Sequence, residues 1–303
     1  VTLIAAAVCP HPPLLVPEVA GVDPIEVRDH AVSAVSRLCA LGPDRIVLVG
    51  DDVRDAFYDE TSTGSLAGFG VDLTVPLGGP TSPARGAGAD GADGVGGGCR
   101  MLPLSLTIGA WLLHEVGWAG ARAARGVPAT TTPQAAAALG AHLVAAAEAD
   151  GSRLALLVMG DASARRTIRA PGSLDPRAAA HDAAVAAALA AVDVDALLAL
   201  DPELARDLLA PGRASWQVLA GAVHRATAAA LSAAPAGGAA RPAAAAPVDV
   251  APAGPAAGWV SRVHYDDAPF GVGYLVVGWE RAGGAGGAGS AGQGGRPPAG
   301  SAR

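Results

Sequence analysis

Four short segments concentrate side chains able to move protons or hold a metal ion. The first is Cys9-Pro10-His11-Pro12-Pro13, where prolines fix the backbone on both sides of an imidazole. A histidine held on so rigid a turn suits metal ligation or acid–base work. The alternative is a structural histidine that caps the preceding strand or bonds a backbone carbonyl. The second is Gly50-Asp51-Asp52-Val53-Arg54-Asp55. Its adjacent carboxylates, Asp51 and Asp52, could bind a divalent metal or raise one another's pKa, while Arg54 and Asp55 read as a solvated pair. The third is Gly160-Asp161-Ala162-Ser163-Ala164-Arg165-Arg166. Here Asp161 is either a reacting carboxylate or the cap of the next turn. The arginines either neutralise an anionic substrate or stay in solvent. No G-x-S-x-G surrounds Ser163, which argues against a serine hydrolase. The fourth is Val263-His264-Tyr265-Asp266-Asp267, a ligand or proton-transfer cluster, or else a polar hairpin tip.

The remaining histidines are read as surface or satisfied core residues: His30, His142, His181 and His224 on amphipathic helices, and His114 in an apolar one. The glycines of 86–98 lack a preceding strand and a phosphate-loop spacing.

The elements that must position these loops alternate between strand and helix. Leu3–Val8 reads as a buried strand. A helix follows, with Asp23 as cap, Pro24 at the first helical position and Glu26 three after the cap; it stops at Gly42-Pro43. Arg45–Val49 is the next strand, ended by Gly50, and Val71–Val75 a third candidate. Leu104–Val116 and Pro133–Asp150 read as helices. Arg153–Met159 (RLALLVM) reads as a central strand, and 176–234 as helical with breaks near Asp193, Asp201-Pro202 and Pro211-Gly212. Trp259–Tyr265 and Val272–Trp279 read as two strands joined by a hairpin or bulged loop. This order predicts an α/β protein with a three-layer α/β/α arrangement and a mostly parallel or mixed central sheet. Ligands in such sheets bind beyond the carboxyl ends of the strands. A single domain is expected over 1–280, with flexible insertions at 78–98 and 235–257 and a disordered tail at 281–303.

Composition removes several classes. The 303 residues include Gly 41 and Pro 24, together about a fifth, against a usual ~12 %. Charged residues are 16 %, the 21 basic residues are all Arg, and the formal net charge is −7. With no basic stretch, a nucleic-acid backbone binder is not expected. No run of ~18 strongly apolar residues lacks a charge, Pro or Gly, so no membrane span is expected. No basic segment precedes Leu3–Val8, which argues against a signal peptide. Cys9, Cys39 and Cys99 show no CxxC spacing, which fits a reducing cytoplasm rather than a disulfide framework.

Beyond these readings, the chain resembles the catalytic B subunit of class III extradiol ring-cleavage dioxygenases, in a B-subunit-like branch common in high-GC actinobacteria. The resemblance rests on Cys9-Pro10-His11-Pro12-Pro13-Leu14-Leu15-Val16-Pro17-Glu18-Val19 and on Met159 to Arg166, continuing through Ala170-Pro171-Gly172 and Leu174-Asp175. It extends to Trp216-Gln217-Val218-Leu219-Ala220-Gly221 and to Asp266-Asp267-Ala268-Pro269-Phe270-Gly271-Val272-Gly273-Tyr274. The chain is also similar to the Memo proteins, which share that fold without being simple ring-cleavage enzymes. The resemblance implies a non-haem Fe(II), held by two histidines and a carboxylate, that opens a catecholic ring with O₂. It also implies a further histidine for acid–base work.

Carried over by position, His11 matches the first metal histidine. The second histidine is replaced by Asp51-Asp52-Val53-Arg54, the acid–base histidine by Ala164, and the late ligand falls near His264. The implied set is therefore His11, Asp51 or Asp52, and His264 for Fe(II) or another divalent metal, with His264, Tyr265 and Asp161 as reacting groups. It requires the His11 and His264 nitrogens to lie within roughly 3–4 Å of each other, because ligand nitrogens sit ~2.0–2.1 Å from their ion. The rival expectations are a catalytically degenerate Memo-like binding or scaffold protein with a partial or lost metal site, and metal-assisted hydrolysis using Asp51, Asp52 and Asp161. The compatible partners are a small aromatic substrate, O₂ and a second copy of the chain.

Overall fold

The computed structural model describes residues 2–21, 25–79, 100–233 and 256–282. Its strands are β1 (Leu3–Cys9), β2 (Arg45–Asp52), β3 (Ala56–Tyr58), β4 (Thr63–Ser65), β5 (Thr74–Pro76), β6 (Ala121–Pro128), β7 (Leu154–Met159), β8 (Trp259–Asp267) and β9 (Tyr274–Arg281). Its helices are α1 (Pro17–Ala20), α2 (Glu26–Ala40), α3 (Leu104–Glu115), α4 (Pro133–Asp150), α5 (Ala178–Ala191), α6 (Val194–Leu198), α7 (Pro202–Asp207) and α8 (Gly212–Ala233).

Every residue of β7 is buried, as an uninterrupted apolar run requires when both sheet faces are covered. Among the described residues a seven-stranded sheet forms around it in the order β3-β6-β2-β7-β1-β9-β8. The four inner strands β6, β2, β7 and β1 are mutually parallel; β3 and the β9–β8 hairpin flank them antiparallel. Side chains alternate between the faces. Ala155, Leu157 and Met159 join a core with α2 and α3, while Leu154, Leu156 and Val158 join another with α4, α5, α6 and α8. The sheet is thus the middle of three layers. Among the described residues no helix is long and apolar enough to cross a membrane.

The structure departs from the sequence reading in several places. β2 does not stop at Gly50: its ladder with β6 continues to Asp52 opposite Pro128, so both aspartates belong to a strand end. β6 itself was not anticipated, because ARAARGVP places arginines at 122 and 125 and shows no apolar run. Yet Arg122 is buried, its guanidinium donating to the Gly120 and Trp118 carbonyls. The Val71–Val75 candidate is realised only as Thr74–Pro76, paired with β4 in a separate two-stranded sheet. Helix α2 begins at Glu26 with Ile25 in the N-cap position and no side-chain cap; Asp23 and Pro24 lie outside the described residues. So do most of the insertion 78–98, the linker 235–257 and the tail 281–303, although Arg281 closes β9.

Helices α4 and α8 meet through glycine. A Cβ at Gly140 would overlap the Val218 carbonyl, and one at Gly221 would overlap the Ala137 carbonyl. The two backbones therefore touch directly. Gly221→Val should lower stability by about 2 kcal/mol or more through overpacking. Gly68→Ala, where an added methyl meets nothing within 4 Å, should stay within about 0.5 kcal/mol. Urea denaturation of the two variants beside the parent tests this contrast.

Candidate functional site

In the run Pro10-His11-Pro12-Pro13 only His11 carries a backbone N–H, since proline has none. That N–H donates to Asp161 Oδ1 at 2.8 Å, and the Gly160 N–H donates to the Cys9 carbonyl at 2.9 Å. The carboxyl ends of β1 and β7 are thereby tied together. The imidazole is buried. Its Nδ1 lies 3.5 Å from Asp161 Oδ1 and its Nε2 lies 3.2 Å from Asp51 Oδ1. Asp161, His11 and Asp51 form a carboxylate–imidazole–carboxylate row across the ends of β7, β1 and β2. Asp161, with a side chain only 14 % exposed, is held above the usual carboxylate range by burial and by the charge of Asp51, against the opposing pull of His11. Tyr274, at the start of β9, has its hydroxyl pushed up by burial and then by the charges of Asp161 and Tyr265.

Asp51 and Asp52 do not act as a pair. Strand alternation sends them to opposite faces. Asp52 lies over Gly126, where a Cβ would overlap its carboxylate. It accepts from the Tyr58 hydroxyl at 2.5 Å and from the Arg54 N–H at 3.3 Å. Burial, followed by the hydrogen bond and charge of Asp52, pushes the Tyr58 hydroxyl up to about 12. Ser105 Oγ donates to the Asp51 carbonyl at 2.7 Å, fixing the strand end against α3. Asp51 and Asp52 then line a cleft of about 610 Å³ with Tyr58, Pro103, Pro128 and Thr130. Loops leaving β2 and β6 run to opposite layers, so the cleft occupies the kind of crevice where open α/β sheets bind ligands.

His264 is elsewhere. It lines a gap of about 10 Å³ with Ala5, Ala6, Leu38 and Glu280. Burial and the charges of Arg262, His30 and Arg37 hold its pKa down. The His264 backbone is level with the upper part of β1, beside Val277, which pairs with Val8, but β9 stands between β8 and β1 and the ring lines the gap beside Ala5 and Ala6, away from the strand end that His11 follows. Tyr265 lies beside His30, with ring centroids 5.4 Å apart and planes tilted by 38°, and Asp266 and Asp267 sit at the exposed end of β8. The expected convergence of His11 with His264 and Tyr265 is therefore corrected. The donors present do not fit an iron facial triad. His11 offers Nε2 with one carboxylate, Asp52 faces the other layer, and His264 is remote. Among the described residues no three His, Cys, Asp or Glu side chains are grouped to hold a metal ion. The same finding removes Asp51, Asp52 and Asp161 as a joint metal-binding set for hydrolysis.

The third loop is held by a residue that sequence reasoning missed. Asp182 on α5 accepts from the Ser163 N–H at 2.9 Å, from Ser163 Oγ at 2.7 Å and from Arg166 Nη1 at 3.1 Å, with His181 Nδ1 at 3.2 Å. Arg166 is thus paired within the protein. The available signal was a lone His-Asp in an otherwise alanine-rich helix. Tyr58 was missed as well, on a strand too short to leave a pattern. His114, read as a satisfied core residue, meets the Pro76 carbonyl through Nε2 at 2.7 Å. Burial raises the Cys9 thiol to about 12 and the Cys39 thiol to about 11; Cys99 lies outside the described residues.

No family model matches the chain, and no curated protein matches it. Among solved structures, it is similar to the crystal structure of the uncharacterized protein JW3007 from Escherichia coli K12. The identity is 15 %, over 91 % of this chain and 99 % of that one, with a TM-score of 0.44.

Because the folded pKa of Asp161 is raised, the native state binds its proton more tightly than the unfolded chain. That contribution is complete below the ordinary carboxylate pKa and is lost as pH rises through the folded value. Denaturant titrations across this range should show stability falling with pH, and Asp161→Asn, which keeps an acceptor but cannot ionise, should flatten the profile. Asp161→Ala leaves the His11 N–H without an acceptor and should lose about 1–3 kcal/mol.

Proposed function

We propose that this chain is a catalytically degenerate relative of the extradiol ring-cleavage dioxygenases that binds a small hydrogen-bond-donating ligand in the strand-end cleft without iron. One observation carries this reading. The His11 imidazole stands between Asp161 and Asp51, so the group matching a metal ligand is engaged in positioning a carboxylate. Asp51 has a side chain 34 % exposed and lines the cleft. Its inner oxygen faces His11 and the rest of the carboxylate remains accessible to a ligand hydroxyl or ammonium. Charge-assisted hydrogen bonds of that kind are among the stronger polar contacts. Met101, Pro103 and Pro128 supply apolar walls, as in most small-molecule sites.

The test uses purified protein loaded anaerobically with Fe(II), then given catechol and O₂. The expected result is no ring-opened product and no stoichiometric iron. Metal-free protein should bind catechol by calorimetry, with affinity reduced about tenfold in Asp51→Asn, equivalent to 1.4 kcal/mol. Iron-dependent formation of a yellow ring-opened product would return the chain to the dioxygenases.

A further inference from the structure

The sheet ends on one side in β8, which among the described residues pairs with β9 alone. It is nine residues long, and a long edge strand offers its unpaired amides and carbonyls to any strand that lies alongside. Which residues offer them follows from the ladder. The Ala282 N–H donates to the Gly258 carbonyl at 2.8 Å. The backbone groups of Val260 and Arg262 therefore turn to β9, and those of Ser261 and Val263 turn outward. The register shift between Val263 and Tyr265 inserts one extra residue. Beyond it Tyr265 and Asp267 turn to β9, and Asp266 turns outward.

The side chains of β8 sort onto two faces. Ser261 Oγ donates to the Leu189 carbonyl of α5 at 3.0 Å, and Val263 and Asp266 line a groove of about 320 Å³ with alanines of α5. His264 and Tyr265 face the other layer, His264 beside Leu38 and Tyr265 beside His30 of α2. Alternation puts Arg262 and Asp267 on that face too, and both are exposed. The α5 layer has its own anomaly. The two polar residues of α5, His181 and Asp182, are both buried, so its outer surface is alanine. A helix that is apolar all round is normally covered.

A second copy of the chain satisfies these features together. Let two β8 strands lie antiparallel about a twofold axis with their bulges facing. Val263 then stands opposite Asp266 of the second copy. Both residues turn their backbone groups outward, and His264 and Tyr265 separate them on each strand, so the hydrogen-bonding positions coincide. The same register sets Arg262 directly opposite Asp267 of the second copy, and the symmetry repeats the pair. Cross-strand neighbours of this kind have Cβ atoms ~5 Å apart, and opposite charges there attract. Pairing centred on Arg262 also matches outward groups, but it sets that arginine against itself. The axis stands perpendicular to the sheet, so α5 and its copy share one face and present their alanine surfaces to each other.

We infer that β8 is a dimerisation edge, to which a second copy of this chain adds its own β8 in the register centred on the bulge. The two seven-stranded sheets then run on as one. The inference does not depend on the strand-end cleft.

Sedimentation of the full chain over a concentration series tests it, and a reversible dimer is expected. Val263→Pro removes an outward N–H and leaves the ladder with β9 its donors. Arg262→Asp and Asp267→Arg each bring like charges together. Each variant should weaken dimerisation about tenfold or more with the far-UV dichroism unchanged. The double variant carrying both charge changes should recover most of the loss. If Val263→Pro fails to fold, the charge changes and their combination decide. A chain that stays monomeric at its highest soluble concentration overturns the inference, as does a dimer that the variants leave intact. Dissociation by both single charge changes without recovery in the double variant overturns the register. A monomer whose Ser261 and Val263 amides resist hydrogen exchange would assign the edge to another segment of this chain, and overturns the inference as well.

Discussion

The hydrogen bond from the His11 amide to Asp161 is the constraint around which the upper edge of the sheet is organised. A segment of three prolines around one histidine has a single donor to spend, and Asp161 accepts it. The same carboxylate lies beside the imidazole Nδ1, and the ring then turns its other nitrogen to Asp51. One buried acceptor thereby fixes a loop and holds a ring between itself and a second carboxylate on the next strand but one. Burial, which raises the pKa of Asp161, also makes the bond hard to replace by water, because an unpaired amide there would lose its solvation without compensation.

The layers of the fold were legible because their signals are local. RLALLVM is apolar at both parities and could only be a strand covered on both faces. The long helices declared themselves by Pro and Gly at their ends, with Thr132, Pro133 and Gly151 bounding α4. β6 was hidden because its apolar core positions, Val127 apart, are alanine and glycine, and its long side chains are arginines, Arg122 reaching the Trp118 and Gly120 carbonyls and Arg125 the Asp55 carboxylate. The loops after β1, β2 and β7, singled out from the sequence, do bring His11, Asp51 and Asp161 side by side. The exact partners were not, since the side to which each aspartate turns depends on where β2 ends, and that is decided by its pairing with β6.

The misplacement of His264 has a geometric cause. Counting back from Tyr274 treats β8 as though it approached the site. In the antiparallel hairpin Asp267 pairs with Tyr274, which lies at the same end as Asp161. Each residue earlier in β8 is therefore ~3.4 Å further down the sheet. Three residues back, at a register shift, His264 lies beside Val277, which itself pairs with Val8, and its ring lines the gap beside Ala5 and Ala6 rather than the strand ends. Spacing in sequence does not show that β9 stands between β8 and β1, and that strand, with the ring turned into the gap beside Ala5 and Ala6, keeps the two imidazoles apart.

The contact of α4 with α8 through bare backbone has a mechanical corollary. Where side chains interlock, helices can slide by changing rotamers; where carbonyl meets glycine there is no such slack, and the pair moves as one plate. The loop after β6 hangs from that plate through Arg213. Any widening of the crevice to admit a guest thus falls to the opposite lip, around Val53 and Met101, both of which project into solvent.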